Sequence, residues 1–307
     1  MQAVVYKSTG SWYVVKTEEN DFLLARIKGK FKNKQLSSTN PIAVGDTVTI
    51  EKEPAEEAWM ISEIEPRVNY INRQSPHNKH KHHIIASNLQ QVLLFATLVE
   101  PQTSLGFIDR FLVTAEAYHL PAIIAFNKTD RWQEKHFAQY EHIKIIYESI
   151  GYTVLKMSLE NGEGVKAIED ILYNKTTLLS GHSGVGKSTF INHILPENHL
   201  KTLEVSEKTG KGQHSTTFAE MFDLPLSGKI IDTPGIRELG LVDISANELS
   251  GYFPEMRRIK KDCKYNDCEH YNEPDCSVKD AVNEGLISEE RYVSYLNIKD
   301  SIAEKNY

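Results

Sequence analysis

Hydrophobic residues follow two periods along this 307-residue chain, and the change of period divides it. Over residues 1–66 apolar positions alternate or run in short stretches: QAVVYKS, SWYVVKT, DFLLARIKGKFK, DTVTIEK and AWMISEIEP. Turn signals such as STG and VGD separate them, so they predict short strands. About five strands in this length suit a small barrel, and the OB-type β-barrel is the commonest such choice. From 84 to about 240 the pattern changes to apolar runs that end in polar loops: QVLLFATL, PAIIAFNKTD, YTVLKMS, TTLLSGHSGVGKS and GKIIDTPG. Helix-like stretches such as IDRFLVTAEAYH and EHIKIIYESIG lie between them. Strands apolar on both faces and joined by helices predict a mainly parallel α/β sheet with ligands at the strands' carboxyl ends. The remainder is helical in tendency. The expected fold is multidomain, with a barrel over 1–72, an α/β domain over 73–240 and a helical C-terminal module over 241–307.

Between barrel and sheet, RVNYINRQSPHNKHKHH at 67–83 carries Arg67, Arg73, Lys79 and Lys81, adds His77, His80, His82 and His83, and contains no acid. It reads as a basic linker or strap that contacts phosphate; its histidines lack the fixed spacing or carboxylate of a metal site. RIKGKFKNK places Arg26, Lys28, Lys30, Lys32 and Lys34 on one face if extended, either a nucleic-acid contact or a sheet edge blunted by lysines. A formal net charge of −7 confines any nucleic-acid partner to such local patches. No stretch approaches the roughly 20 apolar residues of a membrane helix, and the N-terminus lacks a signal peptide's apolar centre. A cytoplasmic protein with no membrane contact is expected, monomeric by default.

GHSGVGKS at 181–188 fits G-x-x-x-x-G-K-[ST] after an apolar strand and before a helical segment. The phosphate-binding stretch runs over Ser180, Gly181, His182, Ser183, Gly184, Val185, Gly186, Lys187, Ser188 and Thr189. Its glycines let backbone N–H groups close around phosphates at a helix start. Lys187 would bridge the outer phosphates and stabilise the charge that develops on hydrolysis, and Ser188 would ligate Mg²⁺. Asp232 of DTPG can hold Mg²⁺ through water, and the Gly235 N–H can meet the γ-phosphate. In HSTT, Thr216 or Thr217 would complete the magnesium shell and sense the γ-phosphate; Thr217 is the magnesium candidate.

NKTD at 127–130 supplies a base-reading loop: Asp130 can accept from guanine's N1–H and exocyclic amine, an edge adenine lacks. The stem of Lys128 can lie over the base, Asn127 can tie the loop to the phosphate loop, and Thr129 completes the segment. Such a site rejects ATP. Ser158 in KMS is the candidate member of a second guanine-contacting loop. The base loop normally follows the phosphate loop, whereas here it precedes it. The order predicts a circularly permuted domain, in which the loop after DTPG leads straight into the C-terminal region.

All three cysteines fall in C-x4-C-x-H-x5-C, formed by Cys263, Cys268, His270 and Cys276. Three thiolates and an imidazole suit a closed, structural Zn²⁺ site. Beside it Arg257, Arg258, Lys260, Lys261 and Lys264 form a second basic patch, facing RNA or solvent.

A barrel, a permuted GTPase with NKTD ahead of GHSGVGKS and DTPG, and a Cys/His module together resemble the ribosome small subunit-dependent GTPase A family over essentially the whole chain. The resemblance implies an oligonucleotide-binding barrel and a GTP hydrolase that cycles between GTP and GDP. It further implies stimulation by the small (30S) ribosomal subunit, contact with its 16S rRNA, and a role in late maturation of that subunit. Release on hydrolysis is the expected cycle; the alternative is a nucleotide-controlled rRNA-binding chaperone or placeholder in which turnover is incidental. Ile236 follows DTPG where many GTPases carry a water-orienting glutamine, so intrinsic hydrolysis should be slow. The resemblance points instead to His214 as the catalytic group.

Overall fold

The protein is seen in a computed structural model that describes residues 1–27, 41–53, 58–75, 78–195, 219–225, 227–233 and 244–305. Lys28, Lys30, Lys32, Lys34, His77, His214, Thr216, Thr217, Gly235 and Ile236 lie outside the described residues. The first five strands are β1 (Gln2–Ser8), β2 (Tyr13–Thr17), β3 (Phe22–Ile27), β4 (Thr47–Lys52) and β5 (Trp59–Ile64). β1, β2 and β3 pair antiparallel in sequence, β3 pairs parallel with β5, and β5 pairs with β4. β4 returns to β1, which closes the barrel. Alternate residues, among them Val5, Tyr13, Val15, Val48, Ile50 and Ile61, fill its interior. Period two therefore produces the barrel that the apolar pattern predicts.

The stretch expected to be a linker is instead an antiparallel ribbon of β6 (Tyr70–Ser75) and β7 (Asn78–Ser87). A division at 72/73 falls inside β6. β-branched Ile71, Ile84 and Ile85 are buried, which gives the ribbon an apolar anchor that its charged composition hides. Arg67 is no free phosphate contact. Its guanidinium grips buried Asp46 through Nε–Oδ1 and Nη2–Oδ2, both 2.6 Å, while Ser87 Oγ donates to the same carboxylate at 2.6 Å.

The second unit is built on β8 (Gln91–Thr97), β9 (Ala122–Asn127), β10 (Thr153–Lys156), β11 (Thr176–Ser180), β12 (Glu220–Asp223) and β13 (Lys229–Asp232). Their order is β10-β9-β8-β11-β13-β12, parallel except for β12, and β12 pairs with barrel strand β1. Alternate residues of β8 face opposite ways. Val92, Leu94 and Ala96 pack under α1 (Leu105–Ala117) and α2 (Glu134–Ser149). Leu93 and Phe95 pack under α3 (Val165–Leu172) and α4 (Lys187–Ile194).

The C-terminal module contains α5 (Pro254–Ile259), α6 (Ser277–Asn283) and α7 (Glu289–Lys305). Its core includes Leu249, Phe253, Met256, Val278 and Tyr295, and takes in Val113 from α1. A buried ionic network joins the two units. Arg291 donates to Asp109 Oδ1 at 2.6 Å and to both oxygens of Glu255, at 2.7 and 3.2 Å. Tyr147 OH donates to Asp109 at 2.6 Å. Burial disfavours the Arg291 cation, yet its two carboxylates outweigh that and hold it charged.

Candidate nucleotide site and metal centre

The phosphate loop leaves β11 after Ser180 and enters α4 at Lys187. Gly181 (φ +138°) and Gly186 (φ +105°) take backbone conformations that L side chains rarely adopt. A Cβ at Gly181 would stand 2.3 Å from Phe95 O, and one at Gly186 would stand 2.3 Å from Asn127 Nδ2. Close approach of the loop to β8 and β9 therefore requires glycine at both places. Lys187 Nζ donates to the carbonyls of Gly181 at 2.6 Å and His182 at 3.0 Å, curled within its own loop. Burial pushes its ammonium down; the Asp232 carboxylate opposes this. Ser183, Gly184, Ser188 and Thr189 are exposed, whereas Val185 is a core residue. Phe107 of α1 lies over His182 with ring centroids 3.7 Å apart.

β9 carries the NKTD segment to the same end of the sheet. Asn127 is buried and donates from Nδ2 to Val185 O at 2.9 Å, which joins the base loop to the phosphate loop across 58 residues of chain. Lys128 adopts φ +69° and donates from Nζ to Glu100 O at 2.7 Å. Ser158 Oγ donates to Asp130 Oδ1 at 2.5 Å, so the loop after β10 positions this half-buried carboxylate. Thr129 Oγ1 donates to Glu163 Oε2 at 2.6 Å. That bond, with Lys156 Nζ 3.3 Å from Glu163 Oε1, holds the Glu163 carboxyl below its usual range against partial desolvation.

At the end of β13, Asp232 is buried, and its Oδ1 has no hydrogen-bond partner among the described residues. Burial raises its pKa; the Lys187 ammonium and the Thr233 backbone N–H oppose the rise. An orphaned buried carboxylate oxygen facing a phosphate loop fits a hydrated divalent cation, with Ser188 on the adjoining helical turn. Such an ion would supply charge neutralisation to phosphate oxygens.

In the C-terminal module the ligand atoms of Cys263, Cys268, His270 and Cys276 all lie within 4.8 Å of one another. Cys263 Sγ is 3.9 Å from Cys276 Sγ, and His270 Nδ1 is 3.6 and 3.4 Å from these two sulfurs. Bond lengths of ~2.3 Å to sulfur and ~2.05 Å to nitrogen give tetrahedral edges of about 3.8 and 3.6 Å. The donor set thus fits Zn²⁺. Burial lowers the His270 pKa and favours the neutral, ligating imidazole. Tyr292 OH donates to His270 O at 2.7 Å and Tyr295 OH to Glu269 O at 2.6 Å, so α7 fixes the ligand loop.

Around the base and phosphate loops, Glu163, Phe107 and the Glu100 carbonyl contact motif residues but belong to no motif themselves. Their roles depend on loops that meet only after folding. Among the described basic residues, Arg26 stacks on Trp12 with its guanidinium carbon 3.5 Å from the ring centroid. Arg257 pairs with Glu116 at 2.9 Å and Lys264 with Asp275 at 2.6 Å, while Arg258 and Lys261 are exposed. Among the described residues, no helix is long and apolar enough to cross a membrane.

A base loop that ends β9, earlier in the chain than the phosphate loop that ends β11 and joined to it through Asn127, defines a circularly permuted P-loop GTPase. Sequence comparison gives the family: the RsgA GTPase profile matches residues 64–242 and the RsgA N-terminal domain profile residues 2–60. The chain belongs to the RsgA GTPase family and is a GTP hydrolase. It is 49% identical to the small ribosomal subunit biogenesis GTPase RsgA of Flavobacterium psychrophilum, over 97% of this chain and 92% of the relative. It is 48% identical to RsgA 2 of Bacteroides thetaiotaomicron, over 100% and 99%. The crystal structure of YjeQ from Thermotoga maritima superposes with a TM-score of 0.79 at 30% identity, covering 98% of both chains. YloQ, described as a circularly permuted GTPase, superposes at 0.73 with 28% identity, covering 99% of this chain and 95% of that one.

Proposed function

We propose that the chain acts in late biogenesis of the small ribosomal subunit, where it hydrolyses GTP to GDP and phosphate under stimulation by the subunit. The observation that carries this reading is the full-length similarity to relatives named as GTPases of that process. In this reading 16S rRNA is contacted by the barrel and by the patch around Arg258 and Lys261, and hydrolysis controls release. The barrel, the permuted GTPase unit and the zinc module are three working parts of one cytoplasmic monomer.

At the nucleotide site, Asp130 and Ser158 read the guanine edge, Lys128 flanks the base, and Asn127 and Thr129 brace the loop. Ser180–Thr189 cradle the phosphates, with Lys187 leaving its two carbonyls for the outer phosphates. Ser188, Asp232 and Thr217 hold Mg²⁺, while Thr216, Thr217 and Gly235 report the γ-phosphate. Water attacks that phosphorus, and Lys187 with the loop amides stabilises the developing charge. His214 aids this step. His214→Ala is expected to lower subunit-stimulated turnover with nucleotide affinity unchanged; intact stimulated turnover would remove it from the mechanism.

Sedimentation with purified small subunits tests the cycle. The chain should travel with the subunit in a non-hydrolysable GTP analogue and leave it in GDP. Equal binding in both states would contradict release on hydrolysis.

A further inference from the structure

Three residues form one row across the seam between barrel and nucleotide sheet. Lys7 on β1 stands opposite Glu220 on β12, and Glu220 stands opposite Asp232 on β13. Directly opposed residues share a face of the sheet, with Cβ atoms about 4.5–5.5 Å apart. Lys7 Nζ lies 3.1 Å from Glu220 Oε2. Glu220 is 5% exposed and Asp232 9%, and each has a buried carboxylate oxygen, Oε1 and Oδ1 respectively, without a hydrogen-bond partner among the described residues.

Two buried carboxylates opposed across a ladder repel each other. Lys7 touches one oxygen of Glu220, and the Lys187 ammonium and Thr233 N–H act on Asp232, yet one oxygen of each carboxylate is left without a donor among the described residues. Hydrated Mg²⁺ supplies donors as well as positive charge, since it keeps several of its waters when bound to protein. We infer that Glu220 is a second carboxylate of the magnesium site. It is a positioning residue that accepts from metal-bound water beside Asp232, and Lys7 of the barrel holds its other oxygen in place. The inference rests on the nucleotide-site reading above and extends it to a residue outside every nucleotide motif. It also makes the barrel's first strand part of the cation's surroundings.

The test is a Mg²⁺ titration of the full chain's affinity for a fluorescent, non-hydrolysable GTP analogue. Glu220→Gln is expected to raise the half-saturating Mg²⁺ concentration about 10-fold, with affinity in EDTA unchanged. Glu220→Asp keeps the charge and gives a smaller shift in the same direction, which covers the case in which the amide variant folds poorly. Lys16→Gln, on the same seam but outside the row, should leave the titration as it is. A Glu220→Gln curve superimposable on wild type overturns the inference and leaves the nucleotide site standing. So does an equal shift in Lys16→Gln, which would mark a general effect of the seam. Wild-type binding indifferent to Mg²⁺ overturns the nucleotide-site reading and this inference with it.

Discussion

In the proposed nucleotide site, Asp130 is the residue assigned to base selectivity. Its partly exposed carboxylate is oriented by Ser158 at 2.5 Å, with Arg131 Nε 3.7 Å from the other oxygen. Guanine offers two donors to that carboxylate. Asparagine offers one acceptor and one donor, which matches a base with a carbonyl in place of the exocyclic amine. Asp130→Asn is therefore expected to weaken GTP binding on the order of 10- to 100-fold, the worth of a charged hydrogen bond. It should also gain affinity for xanthosine triphosphate. Competition against fluorescent GDP measures both, and an unchanged GTP affinity would take Asp130 out of base recognition.

Elements carry the next set of constraints. The turn from β11 into α4 works only because glycine stands where a Cβ would strike Asn127 Nδ2 at 2.3 Å. Gly186→Ala should therefore abolish tight nucleotide binding by prying the base loop from the phosphate loop, while the fold persists; wild-type affinity in a nucleotide titration would contradict this. These elements were legible in the sequence because motif and period coincide. TTLLS, the glycines and Lys187 announce strand, loop and helix together, and the five barrel strands alternate plainly. β12 was not legible, since EMFD is four residues without alternation and is held by pairing with β1 and β13. The β6–β7 ribbon was hidden by its charge, because few apolar anchors suffice once its end is latched by Arg67 and Asp46. Arg291 was equally hidden: it lies in a polar helix, and only the tertiary meeting with Asp109 and Glu255 shows why it is 2% exposed.

At the scale of the whole molecule, ionic clusters join the parts. Arg291→Met would leave Asp109 and Glu255 buried without their cation, at a cost of about 3–5 kcal/mol. Denaturant unfolding measures this, and a loss below about 1 kcal/mol would mean the network contributes little to joining the units. On the other side, Asp223 receives Tyr6 OH, Lys16 Nζ and Lys229 Nζ at 2.6, 2.5 and 2.7 Å, tying the barrel to β12 and β13. Burial raises the Asp223 pKa, but these three hydrogen bonds overcome it and bring it to about 2, below the ordinary 3.8. A folded pKa below the unfolded one contributes stability above about pH 4, lost as pH falls toward 2. Asp223→Asn should accordingly flatten that part of the acid-stability profile, and a profile parallel to wild type would assign the loss to other carboxylates. Zinc removal acts at the far end. One zinc per chain should be found by metal analysis, and chelation should lower the melting temperature; a metal-free chain of unchanged melting temperature would argue against a structural role.

The central claim joins the permuted nucleotide site to the small ribosomal subunit, and phosphate release addresses both at once. GTP and ATP would each be supplied with and without purified small subunits. Slow turnover of GTP alone, strongly accelerated by the subunit and absent with ATP, is the predicted result. GTP turnover indifferent to the subunit would contradict it, leaving a guanine-nucleotide site whose activator is some other molecule.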